Sequence, residues 1–360
     1  MKKQADLFAN TPFKRVLKHP LGRFGFMWIV LCVVLAGTAY LWIPDSSPHA
    51  NRVSLHAALL PPGTQMQQFI PRQEDESKVG FLSRLFWGNP HAANVLIFSH
   101  SEWKQDSLCL LFNNPEQGLE RIVFKKPVQE ADYTIQNITF WLGTDHFGRD
   151  VLSRLVLGAR ISLSVGLIAV FIALVLGTTL GLCAGYFQGI TDRLIMWFAS
   201  VLWSLPTLLL VLAVSFALGK GFWQIFVAIG LSSWIELTRV VRGEVIGLKN
   251  RPFIQAAQLL KVGNTSILFK HILPNVAGSI IVICTANFAA AILLESGLSF
   301  LGLGVKPPTP SWGIMIQEYY GYIMLNKAYL ALVPGMAIMM MVVAFNLLGI
   351  ALRDVLASKA

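Results

Sequence analysis

Charged residues are absent from long intervals of this chain. Between successive charges run Phe24–Pro44, Ile161–Thr191, Leu194–Gly219, Ile272–Leu294 and Ala328–Leu352. A charge at the centre of a spanning helix costs roughly 2.5 to 3.5 kcal/mol on insertion scales, so a charge-free interval of about 20 residues predicts a membrane crossing. A shorter apolar stretch, Gly221–Ile235, continues through Glu236, Leu237 and Thr238 to Arg239, and a helix ending near Val241 would also span. The pattern predicts an all-α membrane protein with six transmembrane helices.

Lys and Arg in short loops set the orientation. The first 23 residues carry Lys2, Lys3, Lys14, Arg15, Lys18 and Arg23 against Asp6, which places the amino terminus in the cytoplasm. Six crossings return the carboxy-terminal tail, 353–360, to the same side. The loop between helices four and five holds Arg239, Arg242, Lys249, Arg251, Lys261 and Lys270 against Glu244 and falls inside. The opposite short loops hold only Lys220 and, around Pro307–Asn326, Lys306 with Glu318. The first apolar run ends in Ile43, Pro44 and Asp45 without an Ala-x-Ala-like site, so it reads as a retained anchor, 24–44, and not as a cleavable signal.

Between helices one and two lies a long exported segment, 45–140. Asp45 to Ala159 carries ten Lys/Arg and twelve Asp/Glu, and long loops translocate largely regardless of charge. Val95–Phe98, Cys109–Phe112, Ile122–Phe124 and Tyr133–Trp141 are short β-branched and aromatic runs separated by Asn and Pro breaks. They predict a small β-rich insertion over 63–140. Phe81-Leu-Ser-Arg-Leu-Phe-Trp87 fits equally a helix at the membrane interface and a buried turn of that insertion.

Composition narrows the classes. Of 360 residues, 54% are hydrophobic and 13% charged, with mean hydropathy +0.59, against about 25% charged in soluble domains. The net charge of +10 belongs to residues flanking apolar runs, so it is read as topology and not as a nucleic-acid surface. Cys32, Cys109, Cys183 and Cys284 lie far apart, which supports neither a metal site nor a disulfide framework. No Gly-x-x-x-x-Gly-Lys-Ser/Thr loop, Gly-x-Ser-x-Gly elbow or His-Glu-x-x-His occurs. The chain is expected to hold no cofactor and no metal, and not to be an enzyme. ATP hydrolysis must lie elsewhere.

The most informative loop runs from Arg251 to Asn275 within 244–275. Pro252 suits a helix's first turn, Ala256, Ala257, Leu259 and Leu260 are good helix formers, and Gly263-Asn264 reads as a stop. A short amphipathic helix is predicted, then a turn, then a second helical stretch into Pro274. A helix this small has no core of its own and suits a groove on another protein. The loop resembles the EAA loop of ABC importer permeases, which in that family forms the coupling helix docking on an ATPase subunit. The matching positions are Gln255, Ala256, Ala257, Gly263, His271, Ile272, Leu273 and Pro274. Gln255 replaces the family's usual Glu, and Lys261 stands where its Gly is expected.

Leu142-Gly-Thr-Asp-His-Phe-Gly-Arg-Asp150 and Glu295-Ser-Gly-Leu-Ser-Phe-Leu-Gly-Leu-Gly-Val-Lys-Pro-Pro-Thr-Pro-Ser-Trp312, with Ala344-Phe-Asn-Leu-Leu-Gly349, narrow the resemblance to the second permease type of the dipeptide/oligopeptide/nickel class. It implies the type I importer permease fold, with a permease core over 141–352. The implied partners are a homologous permease subunit, two cytoplasmic ABC ATPase subunits, an exported solute-binding protein and membrane lipid. The substrate it favours is peptide, by class frequency. Asp145, Arg149, Asp150, Glu295 and Trp312 are the candidates for an exported-side gate or pathway. By residue chemistry Asp145 and Asp150 suit turns and caps, with Asp150 also able to pair with Arg154. Trp312 suits an interface anchor, and Glu295 is an ionisable group near the membrane interior. Glu236 is expected to pair with Arg239. Two alternatives stay open: an ion-gradient-driven transporter, and a membrane-embedded enzyme acting through the exported insertion.

Overall fold

The computed structural model describes residues 12–71, 80–89, 95–104, 107–114, 118–124, 133–219 and 222–357. Lys2, Lys3, Asp6, Lys220 and the last three residues of the carboxy-terminal tail lie outside them. In chain order the helices are α1 (Pro12–Lys18), α2 (Pro20–Gly37), α3 (Ala39–Trp42), α4 (Phe81–Trp87), α5 (Val151–Phe187), α6 (Gly189–Trp203), α7 (Thr207–Leu218), α8 (Phe222–Lys249), α9 (Pro252–Leu259), α10 (Asn264–Phe300), α11 (Trp312–Tyr319) and α12 (Tyr329–Ala357). Among the described residues, α2, α5, α8, α10 and α12 are each long and apolar enough to cross a membrane.

The sixth crossing needs α6 and α7 together. They meet at 100° across a short break, so the single helix expected over Leu194–Gly219 is in fact broken. Pro206 sits at the break and heads α7. It lacks an N–H and disfavours helical geometry at Leu205. Helix α5 starts earlier than the charge-free interval because Arg154 and Arg160 lie inside it and meet the partners described below.

The chain forms two compact units: Met1–Leu31 with Ser162–Val305 and Met336–Ala360, and Cys32–Ile161 with Lys306–Gly335. In the first unit, α5 and α8 pack through glycines. Gly177, Gly181 and Gly185 recur at every fourth position, and a methyl added at Gly181 would lie 2.7 Å from Val241 Cβ and 2.9 Å from the Thr238 carbonyl. Thr238 Oγ1 donates to the Gly177 carbonyl at 3.2 Å. Small residues on one face let two backbones approach inside lipid, where burial of apolar area adds little. Arg242 clamps α8 to α6 by a two-pronged pair with Asp192 (2.5 and 2.7 Å). Arg239 does not meet Glu236: it lies 3.8 Å over the Trp203 ring, because a half-buried guanidinium finds an aromatic face where Glu236 points to the surface.

In the second unit, β1 (Thr64–Pro71), β2 (Leu96–Phe98) and β6 (Tyr133–Phe140) form an antiparallel sheet in the order β2-β1-β6, and β3 (His100–Lys104), β4 (Ser107–Asn114) and β5 (Gly118–Phe124) form a second in the order β3-β4-β5. Met66 opposes Ile138 and Thr64 opposes Phe140. Met66, Ile97, Ile138 and Phe140 close over Ala57 and Leu60 as the sheet's core. The β-rich insertion is present. Strand β1 is an addition to the expected runs: Gln65, Gln67 and Gln68 break its hydrophobic alternation.

Candidate functional site

Two sets of candidate residues are built by different physics. The first surrounds α9. Arg251 is extended and its carbonyl accepts from Ile254 (3.0 Å) and Gln255 (3.2 Å), while Pro252 occupies the first turn where no donor is needed. At the other end Lys261 N donates to Gln258 O (2.9 Å) and Val262 N to Ala257 O (3.0 Å), with Lys261 left-handed at φ 56°. This is a Schellman cap. Lys261 therefore occupies the left-handed position that glycine favours, and the expected stop at Gly263 is corrected: Gly263 has φ −60° and caps the next helical turn.

The face of α9 is split. Ile254 and Ala257 are buried in a core with Val241, Val245, Ile267, Leu268 and Ile272. Gln255 and Ala256 are exposed. Gly263 and Pro274 are exposed, and His271 and Leu273 are half-buried. The matching positions thus do not form one surface: Ala257 and Ile272 hold the helix, while Gln255 and Ala256 look outward. The outward side carries apolar residues that composition alone did not single out, with Leu259 83% and Leu260 79% exposed beside Phe253. Their signal was present: α9 is too short to bury apolar residues on both sides.

Beyond the cap the chain enters α10 through a π-helical stretch, Ile267–Ile272, closed by Leu273 N donating to Leu268 O. Pro274 follows at once. A proline ring clashes with the carbonyl four residues back, and a widened turn relieves it. Tyr186 at the end of α5 donates to Asn264 Oδ1 (2.9 Å), and Lys249 at the end of α8 donates to the Tyr186 carbonyl (2.7 Å). Segment 251–275 is thereby fastened to two spanning helices.

The second set surrounds Asp145. Its buried carboxylate accepts from the backbone N–H of Phe147 (2.9 Å) and Arg149 (3.0 Å), from Arg149 Nε (2.7 Å) and from the Tyr319 hydroxyl (2.9 Å). Arg149 Nη2 and Arg154 Nη2 converge on Glu318 Oε2 at 2.8 and 2.9 Å. Two buried guanidiniums thus balance two carboxylates, and burial pushes the Tyr319 phenol far above its usual range, so it stays a donor. The turn needs Gly148 at φ 70°: a Cβ there would run into the Ser54 carbonyl.

Asp150 caps α5 through Ser153 N (2.8 Å) and Ser153 Oγ (2.5 Å). Of the two roles open to Asp150, the structure shows the cap, and Arg154 turns to Glu318 instead. Burial, with Asp45 nearby, raises the Asp150 carboxyl to about 6, while its Oδ1 finds no hydrogen-bond partner. Trp312 is no surface anchor. It is 3% exposed, and its indole N–H donates to the Leu155 carbonyl at 2.9 Å. Glu295 belongs to the first unit and is buried inside α10, accepting from Ser299 Oγ (2.7 Å) and Ser162 Oγ (3.5 Å). Glu318, Arg154 and Tyr319 complete the cluster and were not among the expected site residues. A lone acidic residue following a Pro-rich segment, opposite a motif with two arginines, was the available clue.

Among the described residues, five to six apolar helices long enough to cross a membrane, with a short surface helix carried between two of them, define a multi-pass membrane protein. Residues 177–360 match the family described as binding-protein-dependent transport system inner membrane component, and the chain belongs to that family. The glutathione transport system permease protein GsiD of Pectobacterium atrosepticum is 42% identical over 219 residues, 61% of this chain and 72% of that protein. Its Escherichia coli counterpart is 43% identical over 223 residues, 62% of this chain and 73% of that protein. A chain of the MetNI methionine ABC transporter in an inward-facing conformation superposes with a TM-score of 0.46 at 18% identity, over 57% of this chain and 96% of that chain. The protein is an inner-membrane permease subunit of an ABC importer and not an enzyme, which selects against the gradient-driven and enzymatic alternatives.

Proposed function

We propose that this chain forms half of the translocation pathway of an importer for small peptides. It pairs with a homologous permease subunit, takes solute from an exported binding protein and receives work from two cytoplasmic ATPase subunits, one of which docks on α9. The observation that carries this reading is the split face of α9: Ile254 and Ala257 root it in the core while Phe253, Leu259 and Leu260 stand exposed. Apolar side chains on a helix this small suit insertion into a partner's groove. The peptide assignment is supported by relatives named for transport of glutathione, itself a small peptide.

In this reading the basic loop 244–275 and both termini are cytoplasmic, and 45–140 is exported. ATP-driven closure of the ATPases displaces α9. The Tyr186–Asn264 and Lys249–Tyr186 bonds and the Ile254 contacts then carry the displacement into α5, α8 and α10, rocking the pathway between its two openings. The ATPase must bind α9 with different free energies in its two states, or no work is coupled. The Asp145–Arg149–Arg154–Glu318 network serves as the fixed exported-side joint of this motion.

A cysteine placed at Leu259 tests the reading in membranes holding the assembled complex. It should cross-link to a P-loop subunit with a yield that changes on adding ATP. Modification of that cysteine by an impermeant reagent applied from outside, with no cross-link, would overturn it.

A further inference from the structure

Arg160 lies in α5, yet four of its contacts are carbonyl oxygens at the ends of two other helices. Its Nε donates to Ala36 O (2.5 Å) and Nη2 to Gly37 O (3.1 Å), at the carboxy terminus of α2. Its Nη1 donates to Phe86 O (2.9 Å) and Nη2 also to Leu85 O (3.1 Å), at the carboxy terminus of α4. The guanidinium carbon lies 5.0 Å from the centre of the Tyr40 ring. The last carbonyls of a helix have no partner within it and carry the negative end of its dipole. One guanidinium answers both helices at once.

This shared cap fixes a depth. Helix α2 is a span of 18 residues with one charge, Arg23, in its first turn. From Arg23 to Gly37 the axis rises about 21 Å at 1.5 Å per residue, which brings Gly37 toward the far edge of a hydrocarbon layer roughly 30 Å thick, and the charged Arg160 guanidinium bonded there belongs at the headgroup boundary and not deeper. Because Leu85 and Phe86 share the same guanidinium, α4 ends at that level too. There the side chains turn outward: Trp87 is 71% exposed and Phe86 is exposed, as are Leu41 and Trp42 of α3, which packs beside α4. Amphipathic aromatic residues concentrate at this level of membrane proteins. The surface is continuous with the lipid-facing side of α2, whose Val33 and Val34 are exposed.

We propose that α4 lies in the headgroup layer of the bilayer, with Phe86 and Trp87 seated among lipids and Arg160 holding the helix at that depth. The strand-rich insertion between α3 and α5 is then moored to the membrane surface at its middle and does not hang free in water. The argument uses only the end of α2 and needs no assignment of which side is exported.

Collision-accessibility measurements on spin labels test this in the full chain, assembled in lipid nanodiscs, with its four cysteines replaced by alanine. A nitroxide is placed at 87, at 86, or at the exposed strand position 137. Labels at 86 and 87 should show an oxygen-to-nickel-chelate accessibility ratio several-fold above that at 137. A ratio equal to that at 137 would place α4 in water, and exclusion of both reagents would place a protein partner over it; either overturns the proposal. In an Arg160→Gln chain the ratio at 87 should fall toward that at 137. An unchanged ratio there would remove Arg160 from the mooring.

Discussion

Tyr319 donates its phenolic hydroxyl to Asp145 Oδ2 across 2.9 Å, although 174 residues separate them in the chain. The bond ties the Gly-Thr-Asp turn to α11, and Glu318 beside Tyr319 repeats the tie through Arg149 and Arg154. Hydrogen bonds to charged groups are worth about 1.5 to 3 kcal/mol, whereas stripping one partner from a buried ion pair costs about 3 to 5 kcal/mol. Glu318→Gln should therefore lower the unfolding free energy more than Tyr319→Phe. Thermal unfolding of the two variants in detergent measures the order, and equal effects would mean the ion pairs add nothing beyond the hydrogen bond.

Asp150 carries a pH signature. Its folded carboxyl titrates near 6, against an ordinary 3.8, because burial and the Asp45 carboxylate disfavour its charge more than the Ser153 bonds and Arg52 favour it. Between those two values the folded chain binds more protons than the unfolded one, so this group contributes stability at low pH that is lost as pH rises through about 6. Asp150→Asn keeps an acceptor for Ser153 N, as asparagine also caps helices, and removes the buried charge. It should raise the melting temperature at pH 7.5, by a free energy of about 1 to 3 kcal/mol at most, and leave it nearly unchanged at pH 4. A rise of the same size at both would assign the gain to packing.

Gly181 tests the contact between α5 and α8. A side chain there meets Val241 Cβ at 2.7 Å and the Thr238 carbonyl at 2.9 Å. Overpacking of this kind costs about 1 to 3 kcal/mol, so Gly181→Leu should melt well below the parent. Gly247→Ala is the counterpart. Nothing lies within 4 Å of a Cβ at that position in α8, and relief of glycine's helix penalty should add up to about 1 kcal/mol. Loss of stability in both variants would point to the helix and not to the contact.

The crossings were legible because hydrocarbon excludes charge so steeply: four of the five charge-free intervals fall on α2, α5, α10 and α12, the fifth falls on the broken pair α6 and α7, and α8 lies on the shorter stretch that ends at Glu236. What escaped the pattern were charges with partners. Arg154 and Arg160 truncated the expected start of α5, since no one-dimensional pattern reveals that Glu318 and the ends of α2 and α4 pair with them. The bend at Pro206 was hidden by unbroken apolarity, although a proline marks it. Trp312 had the composition of a surface anchor, and only the approach of the Leu155 carbonyl places it inside. In the loop 251–275 the sequence showed a short helix and its ends to within a turn, but not which of two adjacent alanines faces the core.

Lys261 bears on how closely a departure from the family pattern is tolerated. It sits at φ 56° as the left-handed residue of the Schellman cap on α9. That conformation costs a non-glycine residue roughly 1 to 2 kcal/mol, partly offset because glycine has more freedom to lose on folding. Lys261→Gly should be neutral to stabilising by about 1 kcal/mol, and Lys261→Val destabilising by more, as β-branching resists positive φ. Hydrogen exchange of the amides of Lys261 and Val262 reads the cap directly. Slower exchange in the valine variant would contradict the geometry.

Ala257 and Leu259 lie two residues apart on α9 and should fail in different ways when charged. Ala257 is 7% exposed among Ile254, Ile267 and Ile272, and an unpaired carboxylate forced into such a core shifts its pKa or breaks the packing. Ala257→Asp is thus expected to lower folded yield and melting temperature before any question of docking arises. Leu259 is 83% exposed, and Leu259→Asp should leave the unfolding free energy of the isolated chain within about 0.5 kcal/mol of the parent, as surface changes do. If an ATPase groove receives this side chain, the same substitution buries a carboxylate against apolar surface and should abolish co-purification of the P-loop subunits, with uptake lost in parallel. Size-exclusion of the co-expressed complex, run beside thermal melts of the separate chain, resolves the two. Intact assembly in Leu259→Asp would move the docking surface to Gln255 and Ala256 on the same helix, and there Ala256→Asp would be the variant that dissociates.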